Sequence, residues 1–160
     1  MTEMTIRPAV PADIPVIMSF IRALAVYEKM EDQVVATEEL LTEWIFEKGI
    51  AKVNLAFWAG EPAGFSLYFL NFSTFLGRAG IWLEDLFVLP EYRGRGIGLA
   101  LMKTLAKEAV DNGYGRFEWN CLNWNTPSIG FYKGLGAVAM DGWTTYRLTG
   151  DALKKLAERD

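Results

Sequence analysis

The chain has 160 residues, 51% of them hydrophobic, with 10 Phe, 6 Tyr and 6 Trp. That is enough for one domain with a real core and too little for two ordinary ones, so a single domain over residues 1–160 is expected. Net charge is −4, from 20 acids and 16 bases, which argues against a nucleic-acid partner and for a cationic one.

No apolar run approaches the roughly 18 residues of a membrane span. The first residues lack a signal-peptide pattern, and one cysteine cannot form an internal disulfide. A soluble, cytoplasmic protein with no membrane partner is therefore expected. Histidine is absent altogether, which removes Ser-His and Cys-His nucleophiles, the usual general base and nearly every zinc site. No metal is expected, and acid–base chemistry must use Glu, Asp, Tyr, Lys, Cys or water.

Thr5 to Arg7 is β-capable and Pro8 ends its ladder donation, which predicts a first or edge strand. Asp13 is placed to cap a helix with Pro15 in its first turn and an apolar stripe of Ile14, Ile17, Met18, Ile21, Leu24 and Ala25. That helix ends near Tyr27 to Met30. Glu28, Glu31 and Asp32 come next, as either a solvated acidic turn or a collar for a cationic substrate. Thr37 caps a second helix whose buried face is Leu40, Leu41, Trp44 and Ile45, closed by Gly49. Val53 to Ala59 and Ala63 to Phe72, separated by Gly60-Glu61-Pro62, predict an antiparallel hairpin.

The next stretch, Ile81 to Gly98, is an apolar strand with two adjacent acids, Glu84 and Asp85, running into a basic, glycine-rich turn that opens a helix. Glycines at Gly94, Gly96 and Gly98 remove Cβ atoms, so backbone N–H groups can approach phosphate oxygens at a helix N-terminus. Arg93 and Arg95 add full charges. On an alternating strand, Glu84 and Asp85 would point to opposite faces, and the pair reads either as an ordinary salt-bridged strand or as a general base.

Gly96 to Asn112 predicts the central helix, and Arg116 to Cys121 a strand parallel to Ile81–Leu89 through a right-handed crossover. Asn125 caps a short helix containing Pro127, Ile129, Phe131 and Tyr132, stopped by Gly134 and Gly136. Val138 to Met140 and Trp143 to Leu148 predict a closing hairpin around Asp141-Gly142, and Asp151 to Glu158 a last helix. Cys121 has no histidine to activate it and reads as a buried strand thiol.

The glycine pattern is not a dinucleotide fingerprint, because Leu99 stands where the third glycine belongs, and it lacks the Gly-Lys-Ser/Thr of a Walker loop. What remains is Arg-x-x-Gly-x-Gly at Arg93, Gly96 and Gly98. With the order of elements, it resembles the GNAT superfamily of N-acetyltransferases over almost the whole chain. Four blocks, at residues 25–31, 83–88, 92–98 and 124–133, resemble the diamine (spermidine/spermine) acetyltransferase branch. A related branch acetylates thialysine and similar amino acids. The turn before Ile81 carries Phe72, Phe75, Leu76 and Arg78, not the acids a long polyamine would want.

The resemblance implies an α/β (α+β) fold with a mixed, mostly antiparallel sheet, one splayed parallel strand pair and helices on both faces. It implies a homodimer that moves acetyl from acetyl-CoA to a small primary amine by direct attack in a ternary complex. The cofactor residues would be Leu86, Phe87, Val88, Arg93, Gly94, Arg95, Gly96, Ile97, Gly98, Asn125, Ser128 and Tyr132. Tyr132 would protonate the leaving thiolate and Glu84 would accept the ammonium proton, directly or through water. Tyr27, Glu28, Glu84, Asp85 and Trp143 would contact the amine. Two alternatives stay open, a non-catalytic CoA-binding module and, more remotely, a nucleotide-dependent oxidoreductase.

Overall fold

The computed structural model describes residues 3–160, which form two compact units, one running to Asn120 and the other Cys121–Asp160. The first holds a five-stranded sheet in sequence order: β1 (Met4–Pro8), β2 (Lys52–Trp58), β3 (Glu61–Ser73), β4 (Arg78–Val88) and β5 (Phe117–Trp119). All neighbours are antiparallel except β4 and β5, which run parallel. Helix α3 (Ile97–Asp111) makes that crossover. Ala59 and Gly60 both take positive φ, 49° and 84°, the backbone twist a two-residue hairpin turn between β2 and β3 needs.

Helix α1 (Ile14–Tyr27) and the helical segment α2 (Glu38–Leu41, continuing as a widened helix over Thr42–Glu47) cover one face of the sheet. Phe20 of α1 stacks on Phe65 of β3 with ring centroids 5.4 Å apart, among Ile14, Ile17, Ile45, Leu55 and Phe87. Helix α3 covers the other face, with Ile97 and Leu101 against Ala56 and Ala63. The Tyr68 hydroxyl of β3 also donates to Glu108 Oε1 of α3 at 3.4 Å.

Three local expectations are corrected. Asp13 does not cap α1: it lies in a tight turn over Pro11–Asp13, accepts the Val10 N–H and pairs with Arg7 at 2.7 Å, so its carboxylate is already engaged. Leu40 and Trp44 are exposed, not buried, and the inward face is instead Leu41 and Ile45, four residues apart. β5 is only three residues long, so half-buried Cys121 lies beyond it.

In the second unit, α4 (Thr126–Gly134) and α5 (Gly150–Ala157) form as expected. The closing hairpin does not. Asp141-Gly142 turns, with Trp143 N–H on the Met140 carbonyl at 3.3 Å, but no ladder flanks it. Val138, Met140, Trp143, Tyr146 and Leu148 are exposed. The alternating sequence supplies strand-compatible side chains, but a strand also needs a partner edge for its backbone groups.

Candidate active site

β4 carries the first half of the site. It pairs with β3 along its whole length, but with β5 only from Ile81↔Phe117 to Leu83↔Trp119. From Glu84 to Val88 no strand among the described residues pairs with the β5 side of β4, because β5 ends at Trp119. The break coincides with a bulge: Leu67 opposes Asp85 and Tyr68 opposes Leu83, so Glu84 has no partner on β3.

An inserted residue resets the alternation, so two consecutive side chains come to one side. Tyr68, opposite Leu83, reaches toward α3, whereas Phe87, two residues beyond Asp85, belongs to the core under α1. Glu84 and Asp85 therefore share the α1 side. This corrects the opposite-face expectation from simple alternation.

Glu28, just past the end of α1, completes a cluster of three acids. Its carboxyl is held above the usual range, by burial first and by the Glu84 charge second. Asp85 is pushed up to about 7, chiefly by burial and further by Glu84 and Glu28. Glu84 is exposed and its Oε2 accepts the Trp82 indole N–H at 3.1 Å. Tyr27 reaches the Phe87 ring, with centroids 6.5 Å apart. Glu31 and Asp32 lie on the exposed short helical turn just beyond.

The glycine-rich turn carries the second half. Gly94 and Gly96 take φ of 79° and 80°, conformations that side chains other than glycine rarely adopt. Nothing lies within 4 Å of where a Cβ would stand on either, and one on Gly98 would meet only Val88 Cγ2 at 4.0 Å. No side chain caps the start of α3, so its first N–H groups are left to a ligand or water. A phosphate-bearing group fits this bare cradle.

Its two arginines diverge. Arg93 donates Nε–H to the Val88 carbonyl at 2.9 Å and lies over the rings of Tyr27 and Phe87, at 5.0 and 5.5 Å. Arg95 lies over Trp58 and Tyr92, at 4.9 and 5.5 Å. Leu86 and Val88 pack against the α3-side core, whose buried members include Ile97, while Phe87 faces α1.

In the second unit, Asn125 Oδ1 accepts the Ser128 N–H at 3.4 Å and so caps α4, as expected. Tyr132, half-buried on the same helix, has its ring centroid 5.5 Å from that of Phe131. Trp143 is exposed beyond it.

Sequence reasoning did not single out Trp82, Trp58 or Tyr92. Trp82 had a signal, since it stands two residues from Glu84 on the same strand; Trp58 had none, because β2 is distant in sequence.

The sequence model of the acetyltransferase (GNAT) family matches residues 19–137. The chain belongs to the GNAT acetyltransferase family. Among its GNAT relatives, the thialysine N-epsilon-acetyltransferase of Sus scrofa is 39% identical, over 98% of this chain and 99% of that one. The L-ornithine N5-acetyltransferase NATA1 of Arabidopsis thaliana is 31% identical, over 94% and 86%. An integron cassette protein from the mobile metagenome of V. cholerae shares the fold with a TM-score of 0.82 and 29% identity, over 99% and 100% of the two chains. An aminoglycoside acetyltransferase from an uncultured soil metagenomic sample gives 0.78 at 15% identity, over 93% and 97%, a likeness of fold alone. The protein is thus an N-acetyltransferase that acts on an amine, and acetyl-CoA is the cosubstrate of its family. No described helix is long and apolar enough to cross a membrane.

Proposed function

We propose that this enzyme acetylates a small primary amine carrying a second positive charge, by direct attack in a ternary complex. The observation that carries the reading is the convergence of Glu28, Glu84 and Asp85 on one side of β4, where its pairing with β5 ends. A cation entering there meets three carboxylates. An ammonium must lose a proton before it can attack, and carboxylates in a partly desolvated place can accept one.

Acetyl-CoA, when bound, supplies an activated acetyl group on a thiol leaving group. The N–H groups from Gly94 to Gly98 would hold its pyrophosphate, and the free edge of β4 at Leu86 to Val88 would pair with its pantetheine arm. Asn125 and Ser128 would border that arm, and Tyr132 would deliver a proton to the departing thiolate. Tyr27 and Trp143 would flank the amine.

A diamine and thialysine each carry two ammonium groups near neutral pH, thialysine with a carboxylate besides. The diamine reading rests on the acid cluster. The thialysine reading is favoured by the 36–39% identity to thialysine N-epsilon-acetyltransferases and by a β3–β4 turn that carries Phe75 and Leu76 and no acids. Thiol release from acetyl-CoA with diamines, polyamines, thialysine, ornithine and matched monoamines tests the reading. Amines with a second ammonium group should have the highest kcat/KM, and turnover with none of them would defeat it.

Residues 1–160 act as one acetyltransferase domain, a reading supported by the family match, which runs through both compact units. The enzyme works as a homodimer, which would cover the exposed apolar side chains between Val138 and Leu148. Sedimentation should give twice the 18.0 kDa chain mass. A cytoplasmic setting suits the acetyl-CoA chemistry and the lone thiol of Cys121.

A further inference from the structure

The two acids of β4 are not equivalent. Glu84 is exposed, and its Oε2 is tied to its own strand by the Trp82 indole N–H. Asp85 is half-buried, opposite Leu67 and two residues before Phe87. Among the described residues no hydrogen bond or ion pair reaches its carboxylate. The bulge brings this unanchored carboxylate beside the point where β4 loses its β5 partner, where a reacting amine would sit.

We propose that Asp85, not Glu84, takes the proton from the substrate ammonium, while Glu84 and Glu28 hold its positive charge; the assignment rests on the acetyltransferase reading of this site. The groups around Asp85 are Glu84 on its own strand, Glu28 just past α1 and Leu67 opposite on β3, while Tyr27 and Arg93 pack on Phe87, two residues further along β4. Burial and the two neighbouring acids hold Asp85 at about 7, whereas an ordinary carboxylate is too weak a base to compete for an ammonium proton.

In the step itself, the Asp85 carboxylate takes one proton from R–NH3+, leaving R–NH2. The nitrogen forms a bond to the acetyl carbon as the carbon–sulfur bond breaks, a second N–H proton is lost and the sulfur becomes a thiol. Asp85 then returns its proton to water. The sum is R–NH3+ and acetyl-CoA giving R–NH–acetyl, CoA thiol and one H+.

The test combines pH profiles with direct titration. The parent should show an acid limb near pH 7 in kcat/KM, and carbon-13 NMR of labelled aspartate in the unliganded protein should show one carboxyl titrating near 7. Asp85→Asn should remove both and lower kcat by about a hundredfold or more. Glu84→Gln should raise the amine KM and move the limb and the resonance to lower pH without removing either, since a negative neighbour has gone. Asp85→Asn that keeps kcat and the limb, or an Asp85 resonance titrating near 4, would overturn the assignment while leaving the acetyltransferase reading intact. A parent with no turnover on any amine would instead overturn that reading, and the assignment with it.

Discussion

Arg93 donates its Nε–H to the Val88 carbonyl at 2.9 Å, so the residue that opens the glycine-rich turn also fastens the end of the strand leading into it. The rest of its guanidinium lies over Tyr27 and Phe87. Arg93 thus joins β4, α1 and the turn before any ligand arrives. A residue used only to neutralise phosphate would leave stability unchanged when removed. Arg93→Ala is expected instead to cost about 1 kcal/mol of folding stability, counting one charged hydrogen bond and cation–π contact discounted for exposure. Urea denaturation measures that loss, and calorimetry with CoA should show weakened affinity in the same variant.

Gly98 offers a cleaner probe of the cradle than its neighbours. Gly94 and Gly96 need positive φ, so any side chain there strains the backbone as well as filling space. Gly98 has no such requirement, and a Cβ on it would touch only Val88 Cγ2 at 4.0 Å. Gly98→Val should therefore fold with a near-parent melting temperature and bind CoA at least tenfold more weakly. Native CoA affinity in that folded variant would mean that phosphate is held elsewhere.

Glu28 should set the preference for a second positive charge. Its carboxyl is held above the usual range by burial and by Glu84, so as pH falls it protonates sooner than a free glutamate. The ratio of kcat/KM for a diamine over its monoamine analogue is expected to shrink in Glu28→Gln, at high salt, and on acidification in the parent. A ratio unmoved by all three would return Glu28 to the role of a solvated turn residue.

Asp85 should also leave a mark on stability. Its folded pKa, about 7, stands above the ordinary aspartate value of 3.8, so the native state binds the extra proton between those limits. Stability is fully present below the unfolded pKa and is lost as pH rises through about 7, because the fold must then keep a half-buried carboxylate charged. Asp85→Asn is expected to raise the melting temperature at pH 7.5, by a few degrees or about the effect of 1 kcal/mol. The advantage over the parent should narrow as pH falls and close near pH 4. A constant difference across that range would show that Asp85 is not unusually basic.

How much of the fold and site is legible in the sequence divides by physical cause. The turn from Arg93 to Gly98, the Asn125 cap and the parallel β4–β5 crossover are written in local chemistry: glycines where side chains would obstruct, a side-chain oxygen three residues before an orphan N–H, a helix between two strands. The bulge at Glu84 is a mismatch between two strands, two residues of β4 against one step of β3, and no property of β4 alone announces it. The side on which Glu84 and Asp85 stand is accordingly unreadable from sequence. Asp13 misleads because an N-cap competes with any cation in reach, and Arg7 is in reach. The segment from Val138 to Leu148 has strand-forming side chains, but its pairing depends on an edge that local sequence does not specify.

The role proposed for Tyr132 is chemical, and its substitution separates that role from packing. When the amine displaces CoA, a thiolate must leave, and a thiolate in a water-poor cleft is disfavoured because its charge has lost solvation. A phenol can donate a hydrogen bond or the proton itself, help worth on the order of 10² to 10⁴ in rate. Tyr132 stands on α4, seven residues beyond the Asn125 cap, half-buried and beside Phe131. Phenylalanine keeps the ring and removes only the oxygen. Tyr132→Phe is expected to melt within a few degrees of the parent and to bind acetyl-CoA nearly as well, while kcat falls about a hundredfold or more. If the ring served only to pack α4, kcat would stay near normal and the loss would be confined to the modest contribution of one hydroxyl to stability. Measuring kcat, CoA affinity and melting temperature on this variant decides between an acid and a packing group, and an undiminished kcat would leave the thiolate to be protonated by solvent.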